Sequence, residues 1–338
     1  MSKKKYVLNT NQVDINKLSF FYGIPHSHTN LSSNEASPMD YLEMAYKNDL
    51  DFIILTEHNN QLSKSFNSKN SNWQHLIKLI HKFNKRSNNF LAIPGFEVNS
   101  TSFGHFNIIN PKNYFIGDVD NITALVIWTL KDSHTLISLN HPTKSIENLE
   151  YNSFFNSCIT SIELANGTYN KKYNKYDKIY YNLLDRGWKL SAINGQDDNK
   201  INIGKEENLT CVICNALTRD NIIYALRNHH SFSTESKSLK LYFTINSSFM
   251  GSTISCNPND ELKFFINAED SHRKISKIHI ISNTKKLVKE IANIDLHNVK
   301  FIYQQKANED ETWYVIKVIL SDKREAISSP IFINFDSA

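Results

Sequence analysis

The chain has 338 residues, 38 of them basic and 34 acidic, and a hydrophobic share of 40% that includes 20 Phe and 15 Tyr. That apolar content can supply a core, and 9 Gly with 7 Pro, against roughly 24 and 17 at average usage, exclude collagen-like, linker-rich and proline-rich disordered chains. The net charge of +4, with a single basic cluster at Lys3-Lys4-Lys5, argues against nucleic acid as a partner. No apolar run approaches the ~18 residues of a membrane helix, and the polar opening lacks a signal-peptide core, so a cytoplasmic protein is expected.

The first strand-like run is FFYGIPHSH, followed by a helix in SPMDYLEMAYKND with Ser37 as N-cap, Pro38 at its first position and Asp40 closing a capping pattern. DFIILTEH reads as a buried strand, WQHLIKLIHKFNKR as an amphipathic helix, and FLAIPGFEVN and GHFNIIN as strands. An apolar stretch, ITALVIWTL, follows. TLISLNHP, SIELANG and KLSAING are strands, with a helix over KKYNKYDKIYYNLLDR that ends at Gly187 as a C-cap. LTCVICNA is a further strand, leading to a helix opened by Thr218. In that strand Cys211 and Cys214, three apart, fall on opposite faces, which predicts buried thiols and not a redox or zinc pair. Repeated βα alternation predicts a parallel sheet or barrel. After residue 236 the runs LKLYFTI, LKFFINA, ISKIHIIS, KKLVKEI, NVKFIYQQ, TWYVIKVIL and PIFINF alternate with period two between polar turns, predicting an antiparallel sandwich. The expected division is therefore an N-terminal extension over 1–18, an α/β unit over 19–235 and an all-β unit over 236–338.

Within the first unit, side chains of metal-ligand type recur at the ends of successive predicted strands. His26 and His28, two apart, share one strand face; His58 follows in TEH, Glu97 in PGFEV, His105 in GHFN, His141 in NHP and Asp197 in GQDDN. Alone, His141 reads as a loop residue, Glu97 as a turn acid and Asp197 as a helix cap, whereas the His26–His28 pair at the end of an apolar strand reads as a ligand pair, because burying two imidazoles without partners is costly. Together they converge on the mouth of a barrel, where active sites sit.

The ordered motifs HSHT, TEHN, PGFEV, GHFN, NHP and GQDDN resemble those of the PHP (polymerase and histidinol phosphatase) superfamily of metal-dependent hydrolases. Their spacing is most similar to its CehA/McbA-type branch, as are IELANG, ALRNHHSFST and the closing SSPIFIN. The resemblance implies a distorted (β/α)7 PHP-type barrel followed by a small C-terminal sandwich-like domain. It also implies that His26, His28, Glu97 and Asp197 hold one metal and that Glu97 bridges to a second held by His105 and His141. A third site in relatives uses an Asp, the His of TDH and a final His. Here Ser33 and Asn199 stand at two of those positions and only His58 remains, with Glu35 nearby as a candidate replacement, so two metals are expected.

A mixed His and carboxylate shell suits Zn, Mn or Fe better than Ca or Mg. Two such ions bridged by a carboxylate generate hydroxide near neutral pH and polarise a scissile oxygen. Asp197 is the expected proton carrier and His58 the expected acid or substrate-orienting group. Lys144 is the candidate for an anionic substrate group, with a solvated loop lysine as the alternative, and Asn166 and Asn140 are candidate polar contacts. The expected reaction is hydrolysis of a phosphoester or of an amide or carbamate ester bond in a small molecule. The alternative is a degenerate PHP-type barrel serving as a non-catalytic binding or structural module. Nothing in the sequence specifies an oligomeric state.

Overall fold

The computed structural model describes residues 17–32, 35–67, 70–168, 172–197 and 203–335. Nine strands surround the region of interest: Ser19–Ile24 (β1), Phe52–His58 (β2), Leu91–Ser100 (β3), Gly104–Ile109 (β4), Leu136–Leu139 (β5), Ile159–Asn166 (β6), Ser191–Gly195 (β7), Leu209–Cys214 (β8) and Ser231–Thr234 (β9). They are hydrogen-bonded in the order β7-β6-β5-β4-β3-β2-β1-β8-β9. The helices lie between them: Pro38–Lys47 (α1), Asn72–Arg86 (α2), Ile122–Leu130 (α3), Asp177–Asp185 (α4) and Arg219–Arg227 (α5). No helix among the described residues is long and apolar enough to cross a membrane.

Local chemistry sets these elements as the sequence predicts. Ser37 and Asp40 form a reciprocal capping box on α1, with Pro38 at its start, and the helix buries Tyr41, Leu42 and Ala45. On α2 the buried side chains Trp73, Leu76, Ile80 and Phe83 recur at helical spacing along one face. Gly187, just after α4, has φ +94°, the left-handed conformation expected of a C-terminal cap. That helix is shorter than predicted. It begins at Asp177, because Asn174–Lys175 instead pair antiparallel with β6, Ala165 opposite Lys175.

Two expectations need correction. The sheet is mixed and not parallel: β3 with β4, β4 with β5, β1 with β8 and β8 with β9 are all antiparallel. Between β3 and β4 only residues 101–103 intervene, too few for the crossover that a parallel pair needs. Nor does a ladder close a barrel among the described residues. Where β7 meets β8, the Thr210 hydroxyl accepts from the Asn194 amide (2.8 Å) and donates to the Asn194 carbonyl (2.9 Å), standing where backbone pairing would run.

The same sheet continues into the C-terminal region. β9 pairs antiparallel with Glu325–Ser328, Phe232 opposite Ser328, and through it with Trp313–Leu320 and Ile275–Ser282. A second sheet of Leu239–Ile245, Glu261–Asp270 and Asn298–Lys306 faces it. Leu241, Phe243, Phe264 and Ile266 from the second sheet share one apolar core with Ile278, Ile280, Tyr314 and Ile316. Burial alternates along the first half of Glu261–Asp270, with Leu262, Phe264 and Ile266 buried, as the period-two pattern requires. Cys211 joins that core whereas Cys214 lies in a separate cluster with Phe52 and Ile222, so the CxxC is split between faces as expected. Burial pushes the Cys214 thiol up to about 11.

At the junction His230 is only 7% exposed and packs edge-on against the Phe249 ring. Burial lowers its pKa from 6.5 to about 4. The unfolded chain therefore binds more protons between those values, and stability present above pH 6.5 is lost as pH falls toward 4, by about 3 kcal/mol for this ring. Asp51, raised by burial to about 6, opposes part of this, since its stabilising proton is lost as pH rises. Comparing urea midpoints at pH 7 and pH 4.5, His230→Leu is expected to narrow the gap between the two conditions by about 2 kcal/mol. An unchanged gap would remove His230 from the acid sensitivity of the fold.

Candidate metal centre

Five connections aim their ligand-type side chains at one point. His26 and His28 lie in the segment just after β1, which β2 holds in place: Thr56 donates its amide to the Ser27 carbonyl (2.8 Å) and Ser27 donates its hydroxyl to the Ile54 carbonyl (2.9 Å). With Ser27 buried against β2, its two neighbouring histidines project together, Nε2 to Nε2 at 3.2 Å. Glu97 sits within β3, and the parallel register with β2 sets it beside His58. His105 opens β4 and is not at a C-terminal strand end; because β4 runs antiparallel to β3, its first residues lie at the same mouth. His141 and Asp197 follow β5 and β7 with φ of +23° and +42°, conformations that non-glycine residues rarely adopt. The strain is held by hydrogen bonds from the His141 amide to Glu163 (2.6 Å) and from the Asp197 amide to the His26 carbonyl (3.2 Å).

Glu97 is the hub. Its Oε1 lies 3.1 Å from His105 Nδ1, 3.3 Å from His141 Nε2 and 3.4 Å from His26 Nε2, while its Oε2 lies 3.2 Å from His58 Nδ1 and 3.4 Å from His28 Nε2. Asn140 Nδ2 donates to the same Oε1 at 3.0 Å. Asp197 Oδ1 stands 3.3 Å from His28 Nε2 and 3.6 Å from His26 Nε2, and its Oδ2 stands 3.7 Å from His141 Nε2. Ligands about 2.0–2.2 Å from a common tetrahedral ion lie roughly 3.2–3.6 Å from one another. The donor spacing therefore fits divalent metal.

Three groups are close enough for their atoms to share an ion: His26, His28 and Asp197; His26, Glu97 and His141; and His28, His58 and Glu97. The first matches most of the expected first site. The second keeps His141 and Glu97 but takes His26 in place of His105, which instead contacts Glu97 through Nδ1 and packs edge-on against the His141 ring at 4.6 Å. His58, expected as the acid or substrate-orienting group and the surviving residue of a third site, lies in the third of these groups, its Nδ1 3.2 Å from Glu97 Oε2. Glu35 is exposed and belongs to none of these groups, and Ser33 and Asn199 lie outside the described residues.

Burial grades the site into a floor and a rim. His26, His28 and Glu97 are at most 2% exposed, whereas Asp197 is 29% and His58 32% exposed. Burial by itself would lower the His26 pKa, but the carboxylates of Glu163, Asp197 and Glu97 outweigh it and raise it to about 9. His28 rises to about 10 against the same burial penalty, through Asp197 and Glu97. Both carboxylates are correspondingly held low despite burial, Glu97 strongly so, by the histidines around it.

Two clefts open on either side. One of about 490 Å³ is lined by His141, Asn166, Lys172, Tyr176 and Asp197 among others. The second, of about 290 Å³, is lined by His58, Asn59, Gln61, Glu97 and Val119. Asn166 lines the larger cleft. Lys144 does not: it is exposed on the short helix Lys144–Glu147, and the lysine lining the cleft is Lys172. Sequence reasoning also missed two buried acids. Glu57 accepts from the Thr29 hydroxyl at 2.5 Å and its amide at 3.1 Å, clamping the HSHT segment. Glu163 accepts from His26 Nδ1 at 2.7 Å. An acid inside the apolar run ITSIELAN was the available signal, because a buried charge needs partners.

No protein-family model and no curated protein matches the chain. Among solved structures the fold is similar to that of a two-domain protein from Bacteroides vulgatus containing a predicted PHP-like metal-dependent phosphoesterase, at 16% identity and a TM-score of 0.53, over 91% of this chain and 92% of that one. An amidohydrolase from Chromobacterium violaceum, with bound sulfate and no metal, aligns over 52% of this chain and 87% of its own, at 12% identity and a TM-score of 0.36. The first likeness covers both the α/β and the all-β regions and supports a PHP-like fold.

Proposed function

We propose that this chain is a metal-dependent hydrolase of PHP type, similar to the CehA/McbA branch, that cleaves a phosphoester or an amide or carbamate ester bond of a small molecule with a pair of divalent transition metal ions. The observation that carries this reading is that His26, His28 and Asp197 are grouped closely enough to share one ion, with Glu97 beside them and His141 Nε2 3.3 Å from its Oε1. Zn, Mn or Fe suits this donor set. Such ions supply Lewis acidity, which acidifies water and polarises a scissile carbonyl or phosphoryl oxygen.

The protein's own groups do the rest. Glu97, with each oxygen facing different imidazoles, holds the two halves of the cluster at fixed separation. Asp197 lines the larger cleft, where its partly exposed carboxylate takes the proton of the attacking water and returns it to the leaving group. His58 engages Glu97 through Nδ1, which leaves Nε2 on the rim to orient substrate or deliver a proton. Asn166 contributes a polar contact within the cleft wall.

The test is a paired assay of metal-loaded protein on an aryl phosphate, an aryl phosphodiester, and carboxyl and carbamate esters, with His26→Ala as control. Turnover of one class that falls at least ~100-fold in the variant is expected, in line with general-acid–base and metal contributions. Equal rates for the native protein and the variant on every substrate would favour a non-catalytic module.

A further inference from the structure

Glu163 lies in β6 with no exposed surface, yet none of the roles above uses it. Its carboxylate accepts three hydrogen bonds from three separate elements: His26 Nδ1 at 2.7 Å, the His141 backbone amide at 2.6 Å and Asn166 Nδ2 at 2.8 Å. Two of these partners are in the ligand cluster and the third lines the larger cleft. A site for this carboxylate exists because residue 195 is glycine. A Cβ there would stand 2.0 Å from Glu163 Oε1 and 2.9 Å from the His26 Cβ.

We infer that Glu163 is a positioning residue that fixes the tautomer and aim of His26, holds His141 in its strained conformation and orients the Asn166 amide toward substrate. The inference rests on the metal-centre reading above. A hydrogen bond from Nδ1–H leaves the His26 lone pair on Nε2, the atom that faces His28, Glu97 and Asp197. A carboxylate suits the position because all three partners are donors and it only accepts. Glutamine would bring an NH₂ group among donors, so one of the three bonds is lost or the His26 ring exchanges its tautomer and presents Nε2–H to the cluster. With Nδ2 committed to Glu163, Asn166 offers its Oδ1 to the cleft, which selects a substrate carrying an N–H or O–H donor beside the scissile group.

Titration with Co²⁺ followed by visible absorption tests this without any turnover. Glu163→Gln is expected to bind Co²⁺ roughly 10–100-fold more weakly than native protein, the range for losing a group that orients a metal-bound histidine, with an altered spectrum. Asn166→Ala, which removes one donor to Glu163 but no member of the ligand cluster, is expected to keep native Co²⁺ affinity and serves as the control. Gly195→Ala, which displaces the carboxylate without removing it, is expected to reproduce the weakened binding and serves if Glu163→Gln does not fold. Native Co²⁺ uptake with unchanged affinity and spectrum in the Glu163 or Gly195 variant overturns this assignment alone. Absence of uptake by native protein overturns the metal reading and the assignment with it.

Discussion

Glu97→Gln is expected to reduce the metal content of the purified protein to one ion or fewer and to abolish hydrolysis. Its two oxygens face five imidazoles at 3.1–3.4 Å, so no other single change removes as many metal-directed contacts. A residue that merely supports a ligand is worth ~10–100-fold in affinity; loss of the shared carboxylate should exceed that, because an amide nitrogen cannot ligate and would face histidines. Metal analysis alongside activity reads the result. A variant that retains its full metal complement would show that the histidines alone assemble the centre, and Glu97 would then be a counter-charge and not a bridge.

Asp197→Asn is expected to separate turnover from metal content. Asn keeps the shape and one oxygen, so His26 and His28 retain their third partner, but the amide can neither take a proton from water nor return it. A positioned acid–base group contributes ~10²–10⁴-fold, and a fall of that size in kcat, with metal content changed far less, is the expected outcome. Equal losses in both would make Asp197 a ligand without a proton-transfer role. His58→Gln offers a comparison at the rim, since His58 is 32% exposed and contacts Glu97 through Nδ1.

Local signals in the chain translated well into structure. Ser37 with Asp40, the Trp73, Leu76, Ile80 and Phe83 face, and the split of Cys211 from Cys214 all depend on neighbours within a few residues, and all were legible. The ligand-type residues were legible as a set because each stands at or near a strand end, where side chains converge on one mouth. Pairing partners were harder to read. The antiparallel run of β3, β4 and β5 was hidden behind a βα rhythm, although the short 101–103 connection carried the clue. The open seam at Thr210 depends on how β7 meets β8, through a side chain in place of backbone pairing, and has no local signature. Roles set by register stayed hidden too. Nothing near Glu163 in the sequence shows that β6 would deliver it to His26, 137 positions earlier, and Lys172 rather than Lys144 reaches the cleft because β6 and residues 174–175 pair back across its wall.

Metal stoichiometry tests the central claim most directly. Elemental analysis of protein purified without chelators is predicted to find two divalent transition metal ions per chain, and His26→Ala is predicted to hold fewer. A native protein that carries none, and takes up none when supplied with Zn²⁺, Mn²⁺ or Fe²⁺, would contradict the account.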